Sequence, residues 1–253
     1  MNNFKDTEDI YLYDGTIEGF FTLVYITYKS HTYPLKIYSE KEYIDNIIDT
    51  LILIKTDYKK SDIVKESIIK KISNFVYQNI LTSFLSKEKD KANVIYEYLF
   101  QAYKYSYKII YHNEIECVTK FNKMTQNIKS EAHKFKGFVR FTKLQNEIYF
   151  SKINPDNDIL YLLIAHFKNR LSNEKWIIYD ENKDKAVFYD TKDIRILEDI
   201  KLDFKNSEDE YEKMWKTFIK AVTIKERKNL RCQRNFMPKK YWKNLLEVNV
   251  WIM

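Results

Sequence analysis

Apolar residues recur along this chain with two different periods, and the places where the period changes limit the folds open to it. A spacing of i, i+3, i+4, i+7 lines one stripe of a helix, whereas strict alternation lines one face of a strand. The helical period holds at Ile17, Phe20, Phe21, Val24, Tyr25 and Tyr28, just after the short strand-like run "YLY". Asp14 or Thr16 can cap that helix, and Glu18 suits the positive end of its dipole. Gly15 reads as a backbone conformation that other residues dislike, and Gly19 as a point of close helix packing. "LILIK" (51–55) reads as a buried strand. The helical period returns over 61–86 through Ile68, Ile72, Phe75, Val76 and Phe84, which predicts one long helix. Further helices are predicted over about 91–111 and 115–134, with the charged patch 86–92 as a loop between helices.

In the middle of the chain the period drops to two. "GFVRFTKLQNEIYFSKI" (137–153) reads as a hairpin about Gln145-Asn146. A two-residue turn there sets Phe141 opposite Phe150 and gathers Arg140, Thr142, Tyr149 and Ser151 on the other face. A helix starting at Pro155 to Asp158 follows, with Leu160, Leu163, Ile164, Phe167 and Leu171 as its stripe. "KWIIYDENKDKAVFYD" (175–190) reads as a second hairpin. The last long helix, about 208–223, carries Tyr211, Met214, Trp215, Phe218, Ile219 and Val222 on one face. Pro238 favours a new short helix at "PKKYWKNLLE". Together these elements predict an α+β protein, predominantly helical, with antiparallel hairpins forming a small sheet. Only three glycines and three prolines occur in 253 residues, too few for a linker-rich chain. A single domain over 1–253 is expected, with about 57–134 as a possible helical subdomain inserted between strand-bearing segments.

No apolar run approaches the roughly 20 residues that span a bilayer, and the N-terminus lacks the pattern of a signal peptide. The two cysteines, Cys117 and Cys232, make no disulfide framework, which predicts a reducing, cytoplasmic setting. Histidine and cysteine spacings match no metal motif, so neither a metal nor a cofactor is expected.

Charge is distributed unevenly. From Lys213 to Lys243 there are eleven Lys or Arg and one acid, Glu226, a local +10; the total of +7 leaves −3 for the remaining residues. Lysine is the common cation throughout, but three of the six arginines (Arg227, Arg231, Arg234) fall within eight residues. Three of the four tryptophans (Trp215, Trp242, Trp251) also lie in the last 39. Cations of this kind neutralise phosphates and release counterions, which gives salt-sensitive binding independent of sequence. Phe236, Tyr241 and Trp242 could stack on unpaired bases. The competing reading turns these rings to the core and lays lysine stems over the surface. Arg227, Arg231, Arg234, Lys239, Lys240, Tyr241 and Trp242 are the candidate nucleic-acid-binding residues.

Other side chains offer chemistry of their own. His166 and Arg170 are four apart on a predicted helix and share a face. They could bind a phosphate, or act as an acid/base and an anion clamp, with Arg140 lining the same cleft. Each could equally be a satisfied structural group. Asp14 is a candidate catalytic acid or simply a cap. Cys232 lies between two arginines, which favours a thiolate, but no base is near it in sequence. Pro155-Asp156 and Glu181-Asn182-Lys183 spell a P-D…E-x-K pattern seen in metal-dependent nucleases, although their predicted positions are a helix start and a hairpin turn.

Four segments in order, "YDGTIEGFFTLVY", "EAHKFKGFVRF", "HFKNR" followed by "WIIYD", and "RCQRNFMPKKYW", resemble a bacterial family known as "probable DNA metabolism protein". The resemblance covers nearly the whole chain. It implies a role in DNA repair or processing. It also implies a radical SAM protein of DNA modification or repair as partner, encoded beside members of the family, and a domain found fused to uracil-DNA glycosylases as well. Members usually carry a histidine where this chain has Asn235, so a scheme needing that imidazole is not expected here.

The leading expectation is a cytoplasmic DNA-repair accessory protein that binds DNA, single-stranded or damaged forms included, through the basic-aromatic segment. It would act with the radical SAM partner, since this chain has no cysteine triad for an iron–sulfur cluster. The alternatives are an enzyme acting on a nucleotide or damaged base through a His/Arg cleft, and a protein–protein scaffold. No membrane partner is expected.

Overall fold

The computed structural model describes residues 4–144, 147–200 and 230–244. The predicted helix at 208–223, the turn at Gln145-Asn146, Arg227 and Trp251 lie outside the described residues, as does the side chain of Cys232. The architecture is α+β and predominantly helical, with antiparallel hairpins in a mixed sheet. It divides into two compact units, 1–129 and 130–253.

In the first unit, β1 (Lys5–Asp6) pairs in parallel with β3 (Thr32–Tyr33). β2 (Ile10–Tyr13), buried along its whole length, is the centre of a second sheet ordered β4-β2-β5. Both β4 (Lys36–Ser39) and β5 (Leu51–Leu53) run parallel to it. Parallel neighbours need crossover connections, and α1 (Ile17–Ser30) lies within the one from β2 to β4. Its N-cap is Thr16, which accepts from Gly19 N; Asp14 in turn accepts from Thr16 N and Oγ1 and from Thr56 Oγ1. Gly15 takes φ +85° at this turn, a value that strains any other residue. A Cβ on Gly19 would fall 2.2 Å from Asp14 Oδ1, so glycine there leaves room for the carboxylate that ties the turn to Thr56.

The long helix predicted over 61–86 is two helices, α2 (Tyr58–Lys71) and α3 (Asn74–Phe84). Ser73 breaks it: its hydroxyl accepts from Val76 N and starts a new helix, a local bond that competes with helix continuation. Phe75, expected in the buried stripe, is 58% exposed as a result. α4 (Lys91–Tyr105) ends where Ser106 takes φ 57°, and a 3₁₀ segment (Ser106–Tyr111) follows. α5 (Glu116–Phe138) begins in the first unit and ends in the second; in the first, Phe121 stacks on Tyr98 of α4 with ring centroids 3.7 Å apart. The "LILIK" strand is buried on one side only: Ile54 is 4% exposed, whereas Leu51 and Leu53 are 42% and 56% exposed, because β5 is an edge strand.

The second unit is built on a five-stranded sheet ordered β10-β9-β8-β7-β6. β6 (Thr142–Lys143) and β7 (Tyr149–Ile153) form the first hairpin, but one residue out of the expected register, with Thr142 opposite Phe150. Leu144 N bonds Ile148 O and Glu147 takes φ 61°, which continues this shifted register toward the turn. Phe141 therefore does not face Phe150; its ring lies 5.4 Å from that of Phe167. Ser151, expected on a polar face, is 1% exposed. α6 (Leu160–Arg170) starts later than predicted and carries the chain from β7 to a parallel β8 (Trp176–Asp180). β8 and β9 (Lys185–Tyr189) are the antiparallel hairpin read at 175–190, and β10 (Ile194–Leu197) extends it. Phe150, Tyr179 and Ala186 pack with Leu144 and Ile177, while Leu163, Phe167 and Trp176 are fully or nearly fully buried. α7 (Leu230–Phe236) and a 3₁₀ turn (Lys239–Asn244) complete the described chain.

Candidate functional site

In the last turns of α5, Glu131, Phe135 and Phe138 stand at i, i+4 and i+7 and share one stripe. The Tyr241 ring lies 4.9 Å from that of Phe135 and 5.8 Å from that of Phe138. Its hydroxyl donates to Glu131 Oε1 at 2.6 Å. The same carboxylate accepts from Asp156 N at 2.8 Å, Asn157 N at 2.9 Å and Asn157 Nδ2 at 2.6 Å. Glu131 and Tyr241 are 5% and 8% exposed, so one buried acid holds the loop after β7 and the 3₁₀ turn together. Burial, and then the carboxylate, push the Tyr241 hydroxyl well above its ordinary range, and it remains a neutral donor. Lys240 adds an ion pair to Asp156, with its ammonium 4.7 Å from the centre of the Tyr241 ring.

This latch decides which residues of the basic segment are available to a ligand. Tyr241 is not: its ring is covered and its hydroxyl is used, so stacking on a base is closed to it. Trp242 is half-buried, with Nε1 donating to Met237 O at 2.8 Å and the Lys239 ammonium 5.9 Å from its ring. Arg231, Arg234, Asn235, Phe236 and Lys239 are exposed. Among the described residues neither Arg231 nor Arg234 has a hydrogen-bond or ion-pair partner, and Phe236 is 75% exposed. The outward face is therefore cationic with one open aromatic ring. Tyr241 and Lys240, chosen from sequence as ligand contacts, hold the 3₁₀ turn that follows α7.

Residues 89–247 match the model of a family described as a domain of unknown function, DUF4130. The chain belongs to the DUF4130 family. No curated protein and no solved structure matches it. Within the DUF4130 match lie Glu131, Asp156, Asn157, Arg231, Arg234 and Tyr241, so the latch and the cationic face both belong to the family segment. The parallel sheet β4-β2-β5 lies outside it.

The candidate catalytic residues fall in both units. Asp14 belongs to the first unit and its carboxylate is engaged by Thr16 and Thr56. Those bonds hold its pKa below the usual carboxylate value although desolvation, the largest single influence, acts to raise it. Arg140 donates to the carbonyls of Gly137 and Val139 at the C-terminal end of α5, the place where a cation suits the helix dipole. His166 has Nε2 enclosed with no hydrogen-bond partner among the described residues, and its ring meets Phe167 edge-on at 4.8 Å. Burial first, then Lys136 and Arg170, lower its pKa and keep the ring neutral at pH 7. Arg170 is exposed at the end of α6.

The P-D…E-x-K residues are spent on local bonds. Glu181 pairs with Lys152 and accepts from Asn154, Lys183 reaches Asp180 and Pro155 O, and Asp156 pairs with Lys240. Among the described residues no group of three His, Cys, Asp or Glu is placed to hold a metal ion. Among the described residues no helix is long and apolar enough to cross a membrane.

Sequence reasoning did not single out Glu131. Its signal was present in "EAHKFKGF": a lone acid in a basic run, with aromatic residues four and seven positions later.

Proposed function

We propose that this DUF4130 protein is an accessory factor of DNA metabolism whose second unit binds nucleic acid through the outward face of 231–239. The observation that carries this reading is the pair of exposed arginines, Arg231 and Arg234, without partners among the described residues, on a segment continuous with the 3₁₀ turn that Tyr241 and Glu131 fix. Unpaired guanidiniums lose no existing salt bridge when they meet a phosphate, and a segment already held in place loses less entropy on binding.

Titration of fluorescent oligonucleotides at increasing KCl tests it. With Arg231, Arg234 and Lys239 each neutralising one phosphate, log affinity should fall against log salt with a slope of about −2 for single strands. Affinity that is absent, or indifferent to salt, refutes the reading.

Phe236 supplies the contact that is not electrostatic. A base stacked on an exposed ring contributes ~1–3 kcal/mol, so Phe236→Ala should weaken single-strand binding by about tenfold while leaving the salt slope unchanged. Duplex affinity, measured in the same anisotropy assay, should not move.

The radical SAM partnership implied by the resemblance completes the proposal: the partner carries the radical chemistry and this chain presents the nucleic acid. Co-purification with that protein, before and after nuclease treatment, separates direct contact from tethering through DNA. A His166-centred enzyme has less support, because the imidazole nitrogen Nε2 is enclosed and Asp14 lies in the other unit.

A further inference from the structure

The two edges of the parallel sheet β4-β2-β5 are treated differently. At the β4 edge, Ile37 points its N–H and C=O away from β2, and the Asn93 carboxamide satisfies both, at 2.8 and 3.0 Å. That edge is closed. At the β5 edge, Ile10 N bonds Thr50 O and Ile54 N bonds Leu12 O, so Thr50, Ile52 and Ile54 face β2. The N–H and C=O groups of Leu51 and Leu53 therefore point outward, and no group among the described residues meets them. An uncovered edge is a template for pairing unless charge, proline or a covering element blocks it. None of these blocks β5, whose sequence is Leu-Ile-Leu.

The loop that runs into β5 has the same apolar character. Ile44, Ile47 and Ile48 are 84%, 104% and 88% exposed, and Leu51 and Leu53 are 42% and 56% exposed. The loop that presents the isoleucines is tied by its own polar groups: Tyr43 donates to Asp49 at 2.8 Å, and Asn46 N donates to Tyr43 at 3.3 Å. Single exposed aliphatic residues are ordinary, but five within the ten residues 44–53 that run into a free edge are not. They offer on the order of 600 Å² of apolar surface per copy, so two copies clear the roughly 1,000 Å² expected of a biological interface.

We infer that the β5 edge is the interface of a two-fold homodimer, in which β5 of one copy pairs antiparallel with β5 of a second. A two-fold axis at Ile52 sets Leu51 opposite Leu53 of the second copy. Both residues point their backbone groups outward, so each of the two pairs exchanges two N–H···O bonds. The result is a continuous six-stranded sheet, β4-β2-β5-β5-β2-β4. An uncharged, self-matching edge fits a second copy of itself because an isologous contact needs no complementary charge. This inference is independent of nucleic-acid binding, whose candidate face lies in the other unit.

Sedimentation of the nuclease-treated full chain provides the test. A mass twice that of the monomer is expected at micromolar concentration. Ile47→Lys/Ile48→Lys should raise the dissociation constant by at least tenfold, with circular dichroism unchanged because both side chains are solvent-exposed. Ile52→Cys probes the geometry directly. Residues facing across a two-fold at a non-hydrogen-bonded position have Cα atoms about 4.5 Å apart, within disulfide range. Mild oxidation should therefore crosslink Ile52→Cys into a covalent dimer and leave the parent protein, with Cys117 and Cys232, uncrosslinked. A monomeric wild type, a dimer that survives the lysine pair, or no crosslink at position 52 would each overturn the inference.

Discussion

Glu131→Ala should cost the second unit about 3–5 kcal/mol, the range for removing one side of a buried, charge-assisted network. The carboxylate accepts four hydrogen bonds, from two backbone amides, one side-chain amide and the Tyr241 hydroxyl. Alanine leaves all four donors in a site only 5% exposed, and water cannot replace the acceptor without opening it. Tyr241→Phe keeps the ring between Phe135 and Phe138 and removes one donor, so its cost should be near 1–2 kcal/mol. All four tryptophans lie beyond residue 130, so urea unfolding followed by tryptophan fluorescence reads the second unit. Glu131→Ala should also weaken oligonucleotide binding although Glu131 touches no ligand, because the basic segment loses its anchor. Equal stability of Glu131→Ala and wild type would mean that the latch is not formed in solution.

Arg231→Ala/Arg234→Ala has the opposite profile. Both side chains are exposed and without partners among the described residues, so stability should change by no more than ~0.5 kcal/mol. Two fewer phosphate contacts should reduce the salt slope for single strands by about 1.4 and lower affinity by one to two orders of magnitude near 0.1 M salt. The two variants together separate the roles: Glu131→Ala loses stability first and binding as a consequence, whereas the double arginine variant loses binding alone. Unchanged affinity in the double variant, with the fold intact, would remove the proposed surface.

The contrast between Tyr241 and Phe236 shows how far composition goes in identifying a site. Both rings lie in the same basic stretch, and both are plausible stacking partners for a base. The structure covers Tyr241 to 8% exposure and leaves Phe236 at 75%. Tyr241 is covered by Phe135 and Phe138 and held by Glu131, 110 positions away along the chain, which no local pattern within "NFMPKKYW" could reveal. His166 and Arg170 tell a similar story. The helix that carries both follows from the i, i+3, i+4 spacing, but the enclosure of Nε2 depends on what packs around it.

Several elements were legible because the determining interactions are local. The 175–190 hairpin, α1 after its Asp-Gly-Thr turn, and α5 follow from periods and caps acting over a few residues. The break at Ser73 was equally local, a capping hydroxyl overlooked within an apolar stripe. The register at Thr142 and Phe150 turned on the αL conformation of Glu147, for which its residue type gives little warning.

The sequence by itself determined the class: helices where apolar residues recur every three or four positions, hairpins where they alternate, and a cationic strip near the C-terminal end. Those features depend on backbone geometry and charge count, which each stretch carries within itself. Tertiary structure alone decided that β2, β4 and β5 run parallel, that one of their sheet's edges is capped by Asn93 while the other stays open, and that Glu131 joins Tyr241 to the loop after β7. Each of these is a pairing between groups far apart in the chain, where hydrogen-bond satisfaction and burial, rather than local preference, select the partner.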